Sequence, residues 1–287
     1  MTITVAWVRR NKDTSELLVA SDSRLRSRGS LNQTQKIFRL ERGDCCLGFC
    51  GDAQVAYPLF VQVGSTLNNF IRTRTRAADV TDLVDTIGNV ISNLLSSWDL
   101  KADEIAQEIA DTRILFAGWS WRFRRFEVGQ FVSEGAQFRY HRLKAKIPHP
   151  WKETNRSLVF MGDYEKSYME CLHDILTSRH GIQPRHAPAK MEINFDYEPL
   201  EALFSLIKLG RVDTGFPLIG GAPQILKIYP YGSDLPLVVR EDANSHYLLG
   251  RKLFDWEKTG YPIEPPRLCR RPFGLSYAAM AGTSSMA

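Results

Sequence analysis

The residue of this sequence with the most chemistry open to it is a threonine at position 2, directly behind Met1. Aminopeptidases that remove an initiator methionine act when the next residue is small, and removal here leaves a hydroxyl and a free α-amine on one residue. An isolated hydroxyl is a weak nucleophile. An α-amine, with a reference pKa of about 7.7–8.0, can take its proton near neutral pH, so nucleophile and general base coincide. Asp22, Lys36 and Gly48 stand at the end of one apolar strand, the start of another and inside a third. Each has an ordinary explanation when taken singly, as a turn residue, a solvated strand start and a bulge. Thr4, two residues on, is a competing hydroxyl, but no simple processing frees its amine, and it is expected to serve packing or a substrate channel.

Other chemistries fit less well. Cys45, Cys46 and Cys50 suggest a metal site, yet alternation along a strand sends Cys45 to the face opposite Cys46 and Cys50. Free cysteines commonly behave as small buried hydrophobes, and that is the expectation here. The net charge of +5 is mild for 287 residues, and its arginines are scattered through Arg72–Arg76, Arg122–Arg125 and Arg139–Lys146. Phe123, Phe126, Phe138 and Tyr140 are interleaved with some of them, but a nucleic-acid binder usually concentrates such charge on one surface, so solvated strand faces are the expectation. No run approaches the ~20 apolar residues of a membrane span, and the start MTITVAWVRRNKD becomes charged too early for a secretory signal. The expected location is the cytoplasm, without membrane attachment and without a cofactor.

The elements that would position Thr2, Asp22, Lys36 and Gly48 follow from hydrophobic periodicity. Ile3, Val5 and Trp7 alternate with Thr2, Thr4, Ala6 and Val8, the pattern of a strand between two layers. Further strands are predicted at 17–20, 36–40 and 45–50, with a polar loop over 27–35. Two helices follow, at about 53–72 and from Val80 to Leu95. The second carries a stripe of Val80, Leu83, Val84, Ile87, Val90, Ile91, Leu94 and Leu95 behind a cap at Asp79 or Thr81. Strands are predicted at 114–119, 123–128, 138–147 and 158–161, helices at about 165–177 and 200–209, and strands at 224–229 and 235–240. Runs of strands separated by pairs of helices imply an α+β fold, a four-layer αββα sandwich with helices outside two stacked sheets. One domain over residues 1–264 is expected, followed by a mobile tail at 265–287.

From Thr2 to Gly51 the chain resembles the catalytic β-subunits of proteasomes, N-terminal nucleophile (Ntn) hydrolases, and most of all the bacterial two-ring, ATPase-partnered relative. TITVAWVRRN is similar to the T-x-x-V-x-V start of that family, Ala20-Ser21-Asp22-Ser23-Arg24 to its A-x-D-x-R element, Lys36-Ile37 to its lysine-led strand, and Gly48-Phe49-Cys50-Gly51 to its G-F-A-G turn. Weaker echoes are Phe160-Met161-Gly162 and Ile219-Gly220-Gly221-Ala222. The resemblance implies Thr2 as nucleophile with its own amine as base, Lys36 beside the hydroxyl, Asp22 holding the Lys36 ammonium, and the backbone around Gly48 facing the oxyanion. Two supporting elements depart from the family pattern. Where the family often has a serine before the third helix, this chain reads Met161-Gly162-Asp163-Tyr164. Its late Asp-x-x-Ser-Gly-Gly element is replaced by Asp213-Thr214-Gly215 and then Ile219-Gly220-Gly221. Asp163 or Asp213 is the candidate to support the amine instead.

The expected function is therefore threonine-type hydrolysis of peptide or amide bonds, on peptides or unfolded segments, by a homo-oligomer with a possible ATPase partner. The first two helices are its expected assembly surfaces. A small-molecule amidase within the same fold and a non-catalytic proteasome-like structural subunit are the alternatives, the latter disfavoured by the intact Thr2, Asp22 and Lys36. Nucleic-acid binding is a distant fourth reading.

Overall fold

Alternation at the start of the chain is realised as a strand whose two faces enter different cores. In the computed structural model, β1 (Ile3–Asn11) pairs antiparallel with β2 (Thr14–Ser21). Ile3, Val5 and Trp7 join one apolar cluster, while Ala6 and Val8 join another. The structure describes residues 2–11, 14–26, 29–98, 102–134, 137–149, 151–153, 157–180, 191–212, 215–232, 234–240, 245–257 and 263–264. The expected tail at 265–287 lies outside them.

After β2 come the short β3 (Leu25–Arg26) and β4 (Ser30–Leu31), then β5 (Ile37–Arg39) and β6 (Cys45–Cys50). Four helices follow: α1 (Ala53–Asn69), α2 (Ile71–Arg74), α3 (Val80–Ser96) and α4 (Ala102–Asp111). The chain continues through β7 (Arg113–Ser120), β8 (Arg125–Glu134), β9 (Gln137–Arg142), β10 (Trp151–Glu153), β11 (Val159–Gly162), α5 (Glu165–His180), β12 (Met191–Ile193) and α6 (Glu198–Val212). It closes with β13 (Gln224–Ile228), β14 (Asp234–Pro236), β15 (Val238–Arg240), β16 (His246–Leu248), β17 (Arg251–Lys252) and β18 (Ile263–Glu264). The fold is α+β. One five-stranded sheet has the order β11-β1-β2-β13-β14 and a second the order β5-β6-β7-β8-β9, with antiparallel pairing throughout both.

Among the described residues, three apolar clusters hold these elements. The first sheet packs Ile3, Val5 and Trp7 against Tyr168 and Leu172 of α5 and Leu203 and Ile207 of α6. The second sheet packs Leu47, Phe49 and Phe116 against Val55, Leu59 and Val63 of α1 and Val80, Leu83, Ile87 and Ile91 of α3. Ala6, Leu17 and Val19 of the first sheet meet Cys46, Leu115, Ala117 and Val128 of the second in the third cluster. Full burial of an aliphatic side chain of this size contributes about 1.5–3 kcal/mol. The α3 stripe is thus consumed inside the chain, and Asp79 caps that helix through a reciprocal box with Asp82.

Several elements differ from expectation. The helix predicted over 53–72 ends at Asn69, because Phe70 is extended and the Thr73 hydroxyl donates back to the Leu67 and Phe70 carbonyls, competing with a continued helix. Helix α4 has no counterpart in the sequence reading, since only Ile105 and Ile109 stand at helical spacing among acidic and small residues. The strand predicted from Phe123 starts at Arg125, with Trp121–Arg124 forming the turn before it, and the strand predicted over 138–147 stops at Arg142.

Candidate active site

Thr2, Asp22, Lys36 and Asp163 each stand just off the end of a strand, and antiparallel pairing brings those ends together. Thr2 precedes β1, Asp22 follows β2, and Asp163 follows β11. The registers Thr4↔Ser21 and Ile3↔Gly162 set Asp22 and Asp163 on either side of the Thr2 backbone. Lys36 immediately precedes β5 in the second sheet, so its side chain must cross from one sheet to the other. Gln224 at the head of β13 fixes the crossing. Its Oε1 accepts from the Lys36 and Ile37 N–H groups at 2.9 and 3.2 Å, and its Nε2 donates to the Asp22 and Thr34 carbonyls at 2.9 and 2.7 Å.

The result is a buried polar cluster. The Thr2 hydroxyl donates to Asp22 Oδ1 at 2.8 Å, Lys36 Nζ donates to the same oxygen at 2.8 Å, and Lys36 Nζ also donates to Thr2 Oγ1. Asp22 further accepts from the N–H of Ile3, Arg24 and Gly220 at 3.3, 3.1 and 3.2 Å, so its carboxylate is held from three directions. Lys36 is 0% exposed, which rules out the solvated strand start. Lysine is almost never fully buried unless paired. Burial pulls its pKa below the ordinary 10.5, and the Asp22 carboxylate pulls the other way.

Of the two aspartates considered as partners of the Thr2 nitrogen, Asp163 reaches it. Its Oδ2 accepts from the Thr2 N–H at 3.1 Å and its own N–H donates to the Thr2 carbonyl at 3.1 Å. Gly162 makes that approach feasible. It has φ of +124°, and a side chain there would collide with the Thr2 carbonyl. Asp213, the other candidate, lies outside the described residues.

Gly48 is placed less informatively. It pairs in register with Ile37 and Leu115 inside the second sheet, so it is no bulge, and a Cβ there would meet the Lys36 carbonyl and Leu115 at 3.5–3.6 Å, an ordinary contact. Among the described residues it makes no hydrogen bond to the Thr2, Asp22 and Lys36 cluster. Thr4 is buried, its hydroxyl 3.4 Å from Ser21 Oγ and 3.5 Å from the Phe49 carbonyl, which is the packing role. Cys45 faces the α1 and α3 cluster while Cys46 and Cys50 face the inter-sheet cluster, as alternation requires. Burial pushes all three thiols up, Cys50 to about 12, and makes them poor thiolates. Among the described residues no group of three or more His, Cys, Asp or Glu could hold a metal ion, and no helix is long and apolar enough to cross a membrane.

Gln224 and Gly162 are the residues whose roles sequence reasoning missed. The signal for Gln224 was a lone amide at the head of the apolar run QILKI, and for Gly162 a glycine between an apolar strand and an aspartate. Set against known proteins, the chain matches no protein-family model and no curated protein.

Proposed function

We propose that the chain is an N-terminal-threonine hydrolase of the proteasome-subunit type, built as a four-layer αββα sandwich and cleaving peptide or amide bonds once Met1 is removed. The observation that carries this reading is the fully buried Lys36 ammonium meeting both the Thr2 hydroxyl and Asp22. An unused ammonium in such a place is a costly feature to keep.

In the proposed reaction Thr2 Oγ1 bonds to the substrate carbonyl carbon and its proton passes to the freed α-amine. The C–N bond then breaks, the leaving nitrogen takes that proton, and an ester remains on Thr2. Water attacks the ester with the amine again accepting a proton, the ester bond breaks, and the proton returns to Oγ1. Lys36 stabilises negative charge developing on the threonine oxygen, Asp22 fixes Lys36, Asp163 orients the amine, and the backbone near Gly48 is the proposed oxyanion donor. The substrate is a peptide or unfolded segment. Assembly into a closed homo-oligomer, with a possible ATPase partner, belongs to the same proposal. It draws on the exposed Val61, Phe70 and Ile71 along α1 and α2.

Intact mass of the natively expressed protein tests the first requirement, with loss of Met1 expected. Turnover of a fluorogenic peptide amide tests the second. Thr2→Ala should abolish it with an unchanged circular dichroism spectrum, and full activity in protein that retains Met1 overturns the reading.

A further inference from the structure

We infer that the far end of β1 holds a second binding site, for a small phosphorylated molecule with a flat ring, such as a nucleoside diphosphate. Arg10 lies on the same face of β1 as Thr2, about 27 Å away at ~3.4 Å per strand residue. There the cluster shared by the two sheets opens at its rim, where Val8, Trp119 and Phe126 are only partly buried, into a cavity of about 320 Å³. That volume is at the lower end of the roughly 300–1,000 Å³ typical of small-molecule sites.

Charge selects the ligand. Arg10, Arg124, Arg125 and Arg142 line the cavity, and Glu127 contacts Arg125 at 2.5 Å and Arg142 at 3.3 Å. Arg10 and Arg124 have no ion pair among the described residues. Among the described residues, four arginines line the cavity against the one carboxylate of Glu127, an excess of positive charge that suits a group carrying several negative charges on a few oxygens. Guanidinium forks match phosphate oxygens in bidentate fashion. Arg124 is held at φ +49°, in a region uncommon for residues other than glycine, at the end of the turn between β7 and β8.

The cavity wall selects the rest of the molecule. Trp119 and Phe126 meet edge to face with centroids 4.8 Å apart, a partly exposed aromatic surface that a bare phosphate would leave unused. Ser15, opposite Arg10 in the register of β1 and β2, adds a hydroxyl. A strand of nucleic acid fits less well. Beyond the rim Arg122 pairs with Asp82 at 2.6 Å, Arg139 with Glu134 at 3.5 Å and Lys146 with Glu165 at 2.7 Å, so these three cations contribute little to a continuous track.

The site does not depend on the proposed hydrolase activity, and calorimetry on the Thr2→Ala protein keeps the two separate. ADP is expected to bind in the micromolar range, inorganic phosphate at least ~10-fold more weakly, and Arg10→Ala/Arg124→Ala to weaken ADP at least ~10-fold with the fold intact by circular dichroism. Trp119→Leu should weaken ADP without changing the affinity for phosphate. Absence of ADP binding up to about 1 mM, or undiminished binding in the double variant, overturns the proposal. Oligothymidylate binding tighter than ADP, with affinity growing with length, overturns it too and assigns the surface to single-stranded nucleic acid.

Discussion

The two ends of β1 handle positive charge in opposite ways. At the Thr2 end a single ammonium, Lys36, is fully buried, paired with Asp22 at 2.8 Å, and fixed through Gln224. At the Arg10 end several guanidinium groups stand at the surface, Arg125 and Arg142 half exposed and sharing one carboxylate. Burial removes the water that would screen and reorganise around a charge, so a buried pair acts with full strength and in one geometry, as stabilising a transition state requires. Hydrated guanidinium groups are screened and mobile, which suits reversible capture of an anion. Both ends share one face of β1, and they differ in cover, because β11 pairs only with Ile3–Ala6 and leaves the Arg10 end without that neighbour.

The strongest way to break this comparison is to remove the buried charge. Lys36→Ala and Asp22→Asn should each lower amide turnover at least ~100-fold, the scale of losing a positioned electrostatic or proton-transfer group, while ADP binding at the far end stays unchanged. Full activity in Lys36→Ala would falsify its assigned role. A coupled loss of ADP binding would show that the two ends are not independent.

Asp163 sharpens the comparison at the Thr2 end, with a smaller effect. Asp163→Asn keeps the shape but removes a negative charge next to the Thr2 nitrogen, which in the proposed Met1-free form favours the uncharged amine. Turnover at the optimum should fall by roughly 10-fold as the amine loses its orientation, and the acidic limb of the kcat/KM profile should move to lower pH. A limb that stays in place argues that Asp163 only packs.

The smallest expected effect is on stability. Between the depressed native pKa of Lys36 and the ordinary 10.5, the unfolded chain holds a proton that the native chain has released, so this group makes stability rise with pH across that window. Lys36→Met has no such proton, and its urea midpoint should rise less with pH than that of the parent. Equal slopes would mean that Lys36 keeps its proton throughout.

Much of this molecule was legible from local pattern. Period-2 alternation assigned the two faces of β1 and separated Cys45 from Cys46 and Cys50, and the apolar stripe with its acidic cap located α3 within a residue or so of its bounds. Pattern failed where local and tertiary preferences compete. Helix α4 has too little apolar surface to announce itself, and the break at Phe70 depends on where the Thr73 hydroxyl turns.

The candidate site divides along the same line. The hydroxyl beside a latent amine drew attention to Thr2, and the resemblance of residues 2–51 to proteasome β-subunits singled out Asp22 and Lys36 with it. Only the tertiary structure decided that Lys36 is buried, that Asp163 reaches the Thr2 nitrogen, and that Gln224 ties the two sheets together. The physical reason is range. Periodicity and strand-end chemistry are set by neighbours a few residues apart, whereas burial and hydrogen bonding at this site join positions 2, 22, 36, 163 and 224, and only the pairing of β1, β2, β11 and β13 and the packing of β5 against them bring those together.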